Sequence, residues 1–344
     1  MTGEIKTLKD VAELLPGEER RFFSATHEEI QSGATADIYF IRTQEMLDKM
    51  GLSATKVVAE IFASRSGVMA GVEECKNLLK DLELTVEAVP EGHTFERHEV
   101  VMRISGRYGD FCRYETALLG ILASSCAWAT AARECKEAAG VRPVVCFGAR
   151  HVHPAVAPVM ERAALVGGVD GASCVLAPKF LGKEPMGTVP HAFILMVGDT
   201  VEAARAYHEH MPEDAPRIIL VDTFKDEAEE ALRVAGALGE QLQAVRLDTP
   251  AERGGVTPGL VREVRARLDQ AGFHRVRIFI SGGLTPDRIR ELAEAGGDAF
   301  GVGSYISGAK PIDMTMDLKE IDGRPVAKRG RIPGRTDNPS LRRL

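Results

Sequence analysis

A chain of 344 residues, 44% hydrophobic and 27% charged, has the ordinary balance of a globular protein and enough length for two domains, each with its own core, so a largely disordered chain is excluded. The net charge of -7, spread without long like-charge runs, excludes general nucleic-acid binding and leaves no broad cationic face for an anionic membrane. The opening MTGEIKTLKDVAELLPGEE lacks the basic start and apolar core of a secretion signal, and no stretch approaches an uncharged membrane span, so a cytoplasmic protein is expected.

The elements change character along the chain. Before Glu115 the segments VVAEIFA, SGVMAG, ELTVEAV and RHEVVMRISGRY read as short strands with Gly and Pro punctuation, interrupted by one helix, GVEECKNLLKDL. This predicts an α+β domain over residues 1-114. From Glu115 the pattern is regular: helix ETALLGILASSCAWATAARECKEAAG, strand PVVCFGAR, helix PAVAPVMERAALVGG and strand SCVLA. The segment from His191 to Met211 is ambiguous, because AFILMV fits a short strand while the residues from Thr200 onward have helical period. Then follow strand RIILVDTF, helix EAEEALRVAGALGEQ, strand QAVRLD, helix LVREVRARLDQAG, strand VRIFISGG, a further helix and strand AFGVGS. Repeated β-α alternation with nearly continuous apolar strands predicts a parallel sheet covered on its faces. Two late glycine loops and the absence of an early GxGxxG favour a TIM-like α/β barrel over an open doubly wound sheet, across residues 115-308. The tail 309-344 is too polar to make a core alone and either packs back on the N-terminal domain or frays. Six cysteines (75, 112, 126, 135, 146 and 174) form no CxxC and no Cys/His cluster with zinc spacing, so reduced structural thiols are expected.

The segment ISGGLTPDRIRELAEAGGDAFGVGS carries the strongest local signal. Thr285 fits an N-cap, Pro286 the first helical position, and Gly296 the stop, so Ser281, Gly282 and Gly283 form one loop before the helix and Gly301, Gly303 and Ser304 form another one strand later. Such a pair at the carboxyl ends of late barrel strands suits a phosphate, although each is also readable as a plain tight turn. Arg150, Asp222 and Asp248 end other strands and should converge on the same mouth. Asp222 and Asp248 suit Mg²⁺, which takes only one or two protein carboxylates beside substrate phosphates; helix caps or rim salt bridges are the alternatives. Arg246, two residues before Asp248, points to the same face of its strand, and a cation with an anion there is expensive unless both face a polar cavity. Thr188 and His191 lie in the loop GKEPMGTVPHAF, where His191 is a general base, a nucleophile or a satisfied cap. His151 and His153 without a third ligand are a weak metal signal.

Taken together and in order, TADIYFIRTQEM, YETALLGILA, FGARHVHPA, GGVDGASCVLA, GTVPHAF, VDTF, VRLDTP, ISGGL and FGVGS resemble the nicotinate phosphoribosyltransferase family over nearly the whole chain. The resemblance implies a barrel-like domain packed on an N-terminal α/β sandwich, a homodimer, and synthesis of nicotinate mononucleotide from nicotinate and phosphoribosyl pyrophosphate with ATP assisting. It implies that Tyr39 stacks on nicotinate, Thr188 contacts it, His191 is phosphorylated, Arg246 and Ser304 touch phosphoribosyl pyrophosphate, Gly282, Gly283, Gly301 and Gly303 form the phosphate loops, and Arg150 is an active-site arginine. The sequence departs from the family in VRLDTP, in GVGS, and in a tail without zinc-binding cysteines. Two other readings compete. Quinolinate phosphoribosyltransferase shares the fold but must hold two carboxylates and promote decarboxylation, for which Arg150 alone is thin. A non-catalytic phosphosugar sensor is opposed by the intact Asp222 and Asp248.

Overall fold

The computed structural model describes residues 4-15 and 23-344. The strands are, in chain order, β1 Lys56–Ala63, β2 Gly67–Val68, β3 Thr85–Ala88, β4 Thr94–Phe95, β5 Val100–Arg107, β6 Val144–Cys146, β7 Gly171–Ala172, β8 Ile218–Leu220, β9 Ala244–Leu247, β10 Arg277–Ser281, β11 Ala299–Val302, β12 Met314–Ile321, β13 Arg324–Pro325 and β14 Arg342–Arg343. Two compact units result, one ending at Thr130 and regaining Lys310–Leu344, the other spanning Ala131–Ala309. Their boundary falls inside the helix Glu115–Ala139, not at its start.

The first unit is built on an antiparallel sheet of order β13-β12-β1-β5-β3-β14. Central β1 and β5 are buried along most of their length, which explains their nearly unbroken apolar runs. Glu60 and Arg103 face one another across this pair, and Arg103 Nε donates to Glu60 Oε1 at 2.9 Å. The polar tail packs back here rather than fraying. β12 pairs with β1, Thr336 N–H donates to Glu60 at 3.0 Å, and Arg103 donates to the Thr336 carbonyl at 2.5 Å. A buried carboxylate in mid-sheet is therefore matched by a cation from the next strand and a backbone donor from the tail.

The second unit carries a wholly parallel sheet of order β7-β6-β11-β10-β9-β8, an open half-barrel of the α/β class. Val145, Ile218, Ala244, Phe279 and Ala299 project from one face of five strands into a common core, with Phe147 packed against it. Two local expectations change. SCVLA is not a strand: β7 makes only two ladder pairs, at Gly171 and Ala172, and the chain then turns into the short helix Leu176–Lys179 because Ser173 and Cys174 are engaged by a buried carboxylate. The ambiguous AFILMV is a helix, His191–Val197, closed by Gly198 at φ 92° and followed by a helix capped by Asp199. The helix after β10 starts as its sequence predicts, Thr285 accepting from Arg288 N–H and Pro286 opening the first turn. All six cysteines are free, five of them buried.

In the first unit, burial pushes the Glu115 carboxyl up from an ordinary 4.5 to about 7, and the Asp317 carboxylate adds to the effect. The folded unit then binds this proton more tightly than the unfolded chain, so the group costs stability increasingly as pH rises from 4.5 to 7 and fully above it. Glu115→Gln is expected to raise the melting temperature by a few degrees at pH 8 and to leave it almost unchanged near pH 4.5, as read by thermal unfolding at both values. An equal gain at both pH values would mean that the gain is not electrostatic.

Candidate active site

Side chains on one face of a strand recur every second residue, so each strand that feeds the half-barrel core also places its next same-face residue at the carboxyl end. Above Val145 stands Phe147, above Ala244 stands Arg246, above Phe279 stands Ser281, and above Ala299 stands Gly301. These four residues floor a cleft of about 400 Å³, whose wall includes Arg150, Ser173, Thr188, Asp248, Gly283 and Ser304. Gly282 and Gly303 line it as well.

Arg246 is the most connected group in the cleft. Its Nε donates to Ser281 Oγ at 2.8 Å, Nη1 to Thr188 Oγ1 at 2.7 Å and Nη2 to Asp248 Oδ2 at 2.9 Å. Its guanidinium carbon lies 5.3 Å from the centre of the Phe147 ring, which itself stacks on Phe279. The Ser281 hydroxyl in turn donates to Asp248 Oδ1 at 2.8 Å, closing an Arg–Ser–Asp ring of hydrogen bonds. Burial pulls the Arg246 pKa down, and the carboxylates of Asp248 and Asp222 push it back up. Hydrogen bonds to a charged group are worth about 1.5–3 kcal/mol each, so three of them hold the guanidinium in one orientation despite its burial.

Asp222 and His191 form a second pair. His191 Nε2 lies 3.2 Å from both Asp222 oxygens, which fixes a proton on that nitrogen, and the Asp222 side chain is only 1% exposed. Burial raises the Asp222 carboxyl, His191 lowers it, and the Asp248 charge raises it again. The imidazole thus covers the carboxylate expected at the mouth, while Pro190, directly before it, lines the cleft. His191 is the first residue of its helix, yet its side chain is not the cap: no side-chain cap bond is made there. Among the described residues no group of three His, Cys, Asp or Glu is arranged to hold a metal, so His151 and His153 do not build such a centre; His151 Nδ1 instead lies 3.2 Å from Ser307 Oγ.

The glycines have separate local causes. Gly282 and Gly283 have φ of 94° and 61°, the left-handed region that favours glycine. A Cβ on Gly283 would meet only open space, whereas one on Gly301 would come within 2.4 Å of the Phe147 ring and one on Gly303 within 2.6 Å of His151. Ser304 opens a single helical turn beyond them. Arg150 sits in the turn Ala149–His151 with its side chain exposed and Nε 3.4 Å from His151 Nε2. Tyr39 belongs to the first unit, near the start of the helix Ile38–Lys49, 54% exposed and 4.2 Å from the Phe40 ring centre. Sequence reasoning missed Phe147 on the cleft floor and Ser173 on its wall; the apolar run VVCF, ending shortly before Arg150, was the available signal for the first.

A parallel half-barrel whose strand ends gather a fixed arginine, a carboxylate and glycine-rich loops defines an α/β protein with its cleft at the carboxyl face. The chain belongs to the quinolinate phosphoribosyl transferase family: the family's N-terminal domain matches residues 37–126 and its C-terminal domain residues 128–317. A solved nicotinate-nucleotide pyrophosphorylase from Pyrococcus furiosus is 46% identical, covers 92% of this chain and 82% of its own, and superposes with a TM-score of 0.88. A nicotinate phosphoribosyltransferase of Mycobacterium tuberculosis is 33% identical over 253 residues, 71% of this chain, and the chain spans 55% of that relative's length. A Methanothermobacter thermautotrophicus protein described as a probable carboxylating nicotinate-nucleotide pyrophosphorylase is 23% identical over 292 residues, 83% of this chain and 96% of its own. These findings correct the expected activity. Both domain matches and the Pyrococcus structure point to the quinolinate family, so the reading as an ATP-assisted nicotinate phosphoribosyltransferase, with ATP as co-substrate and a phosphorylated His191, is withdrawn. No helix among the described residues is long and apolar enough to cross a membrane.

The contrast between glycines gives a direct test of the cleft. Gly301→Ala is expected to lower stability by about 1–3 kcal/mol, because its Cβ overpacks the Phe147 ring. Gly283→Ala should cost about 1 kcal/mol, from its φ alone, and should weaken the binding of ribose 5-phosphate measured by calorimetry. Equal losses of stability, with unchanged ribose 5-phosphate binding for Gly283→Ala, would return SGGL to a plain turn.

Proposed function

We propose that this chain transfers the phosphoribosyl group of phosphoribosyl pyrophosphate to quinolinate, releasing pyrophosphate and carbon dioxide and forming nicotinate mononucleotide. The observation that carries the reading is one cleft combining Arg150, Arg246 and two glycine-rich loops in a chain that matches the quinolinate family in both its domains. Phosphate is assigned to the loops Ser281, Gly282, Gly283 and Gly301, Gly303, Ser304, where open backbone at Gly283 admits an oxygen-rich group. Arg150 takes a carboxylate of the base, since a planar guanidinium matches it with two parallel bonds. Thr188 orients the base from the edge of the Arg246 ring of bonds.

Displacing pyrophosphate from ribose C1 builds positive charge on the sugar and negative charge on the leaving group. Donors already fixed before reaction stabilise that change at least reorganisation cost, and Arg246 is such a donor. The ring nitrogen of quinolinate forms the new bond to C1 as the bond to pyrophosphate breaks, so no protein nucleophile is required. The nitrogen then carries positive charge, and the adjacent C2 carboxylate leaves as carbon dioxide, its electron pair remaining at C2 until a proton arrives. The buried Asp222 carboxylate holds the His191 imidazole by its Nε2, next to a residue of the cleft wall, and so orients a general acid for that proton.

Mg²⁺ fits a site with few protein carboxylates, because it keeps waters and takes oxygens from substrate phosphates. Asp248 on the cleft wall is the residue that would orient it, with Asp222 acting only through the His191 imidazole that covers it, and when bound the ion would neutralise the pyrophosphate charge. A second copy of this chain is the proposed partner; Phe180, Leu195 and Met196 expose 55%, 58% and 88% of their surfaces on the second unit, apolar area suited to self-association.

The test is turnover. With Mg²⁺, phosphoribosyl pyrophosphate and quinolinate labelled in its 2-carboxyl, the protein is expected to release labelled carbon dioxide and nicotinate mononucleotide in equal amounts. Transfer to nicotinate with no carbon dioxide from quinolinate would overturn the reading. Asp248→Asn keeps the shape but loses the charge facing Arg246, and a fall in kcat of about 10² with weaker Mg²⁺ dependence is expected. An unchanged kcat in a less stable protein would make Asp248 a rim salt bridge only.

A further inference from the structure

Glu161 lies in the helix Ala157–Gly167 and is fully buried, although nothing in the reaction requires a charge there. Its Oε1 accepts from the backbone N–H of Ala149 at 3.2 Å and from the Ser173 hydroxyl at 3.0 Å, while Oε2 accepts from the Cys174 N–H at 2.6 Å. Ala149 belongs to the loop after β6 and Ser173 and Cys174 to the loop after β7, so one carboxylate ties two strand ends together. Ala149 and Ser173 both line the cleft, and Arg150 follows Ala149 directly. The loop lies close on this helix: a Cβ on Gly148 would approach Met160 to 2.7 Å.

We infer that Glu161 is a positioning residue for the base-binding wall of the cleft, setting the placement of Arg150 and Ser173 from beneath. A buried carboxylate costs several kcal/mol of desolvation, and an apolar residue of similar volume usually serves a core as well or better. What an apolar residue cannot do is accept three donors at once from two different loops. Burial pushes the Glu161 carboxyl up, and the donors from Cys174, Ser173 and Ala149 pull it back toward the charged form. The same device recurs on the other side of the sheet, where buried Glu227 accepts from the Thr249 hydroxyl, next to Asp248, at 2.7 Å. The inference rests on the proposed pyridine substrate only for its kinetic readout.

Glu161→Gln tests it. Glutamine offers one acceptor oxygen and one donating amide. The Ser173 hydroxyl is able to turn and accept, but the N–H groups of Ala149 and Cys174 both need an acceptor, and one of them is left facing a donor. Amide exchange read by mass spectrometry is expected to quicken in segments 147-152 and 173-176 and to stay unchanged in 157-167. In turnover, KM for the pyridine carboxylate should rise about tenfold, with kcat and the KM for phosphoribosyl pyrophosphate within about threefold of the wild type. Ser173→Ala, which removes only the hydroxyl contact, should shift the same KM in the same direction by about threefold. Exchange that quickens across 157-167, with both KM values unchanged in Glu161→Gln, would make Glu161 a structural residue and overturn the inference, as would the absence of any change. A wild type that uses no pyridine carboxylate would defeat the proposed function, and the exchange experiment would still decide the role of Glu161.

Discussion

The cleft depends on one constraint, a largely buried guanidinium whose three nitrogens each need a partner. Arg246 sits where a barrel strand leaves the hydrophobic core, and burial there is tolerable only because Ser281, Thr188 and Asp248 each accept from it. Those partners come from the loop before the helix His191–Val197, from the end of β10 and from the residue just past β9. Meeting the demands of one cation therefore fixes three separate chain segments around one space. The Phe147–Phe279 stack closes the floor beneath, and Gly301 is glycine because that stack leaves no room for a Cβ.

The same logic, a buried charge satisfied by distant chain segments, organises both units. In the first, Glu60 collects Arg103 and the Thr336 backbone and so brings a polar tail onto the sheet. In the second, Glu161 and Glu227 hold strand-end loops. Such charges are poor sources of stability, since a well-packed apolar replacement often does as well. Their value is geometric: a carboxylate accepts several donors in defined directions, and loops held by it stay in register with the strands below.

Much of this was legible in the sequence because it is local. The β-α alternation after Glu115, the Thr285 cap with Pro286, and the two glycine loops are set by period and by backbone preference, and the strand ends carrying Arg246 and Asp248 follow from counting every second residue. What escaped was set by partners far along the chain. SCVLA reads as a strand, but Ser173 and Cys174 are drawn off by a carboxylate from the preceding helix. AFILMV is too short for its period to decide, and Pro190 before it with Gly198 after it makes it a single helical segment. The tail's return depends on Glu60, 276 positions before Thr336 in the chain. The choice between sister activities escaped for a related reason: the phosphate loops and barrel motifs serve both readings, and no short motif in the chain separates them.

The central claim is that the strand-end loops receive phosphate while Arg150 receives the carboxylate of a pyridine base. A crystal structure with nicotinate mononucleotide bound tests it most directly. The account places the 5′-phosphate against the backbone of Gly283 and Gly303 beside Ser304, and the pyridine carboxylate on Arg150, with the Arg246 ring of hydrogen bonds intact. A nucleotide bound outside this cleft, or one whose phosphate lies on Arg150 with the glycine loops empty, would contradict it.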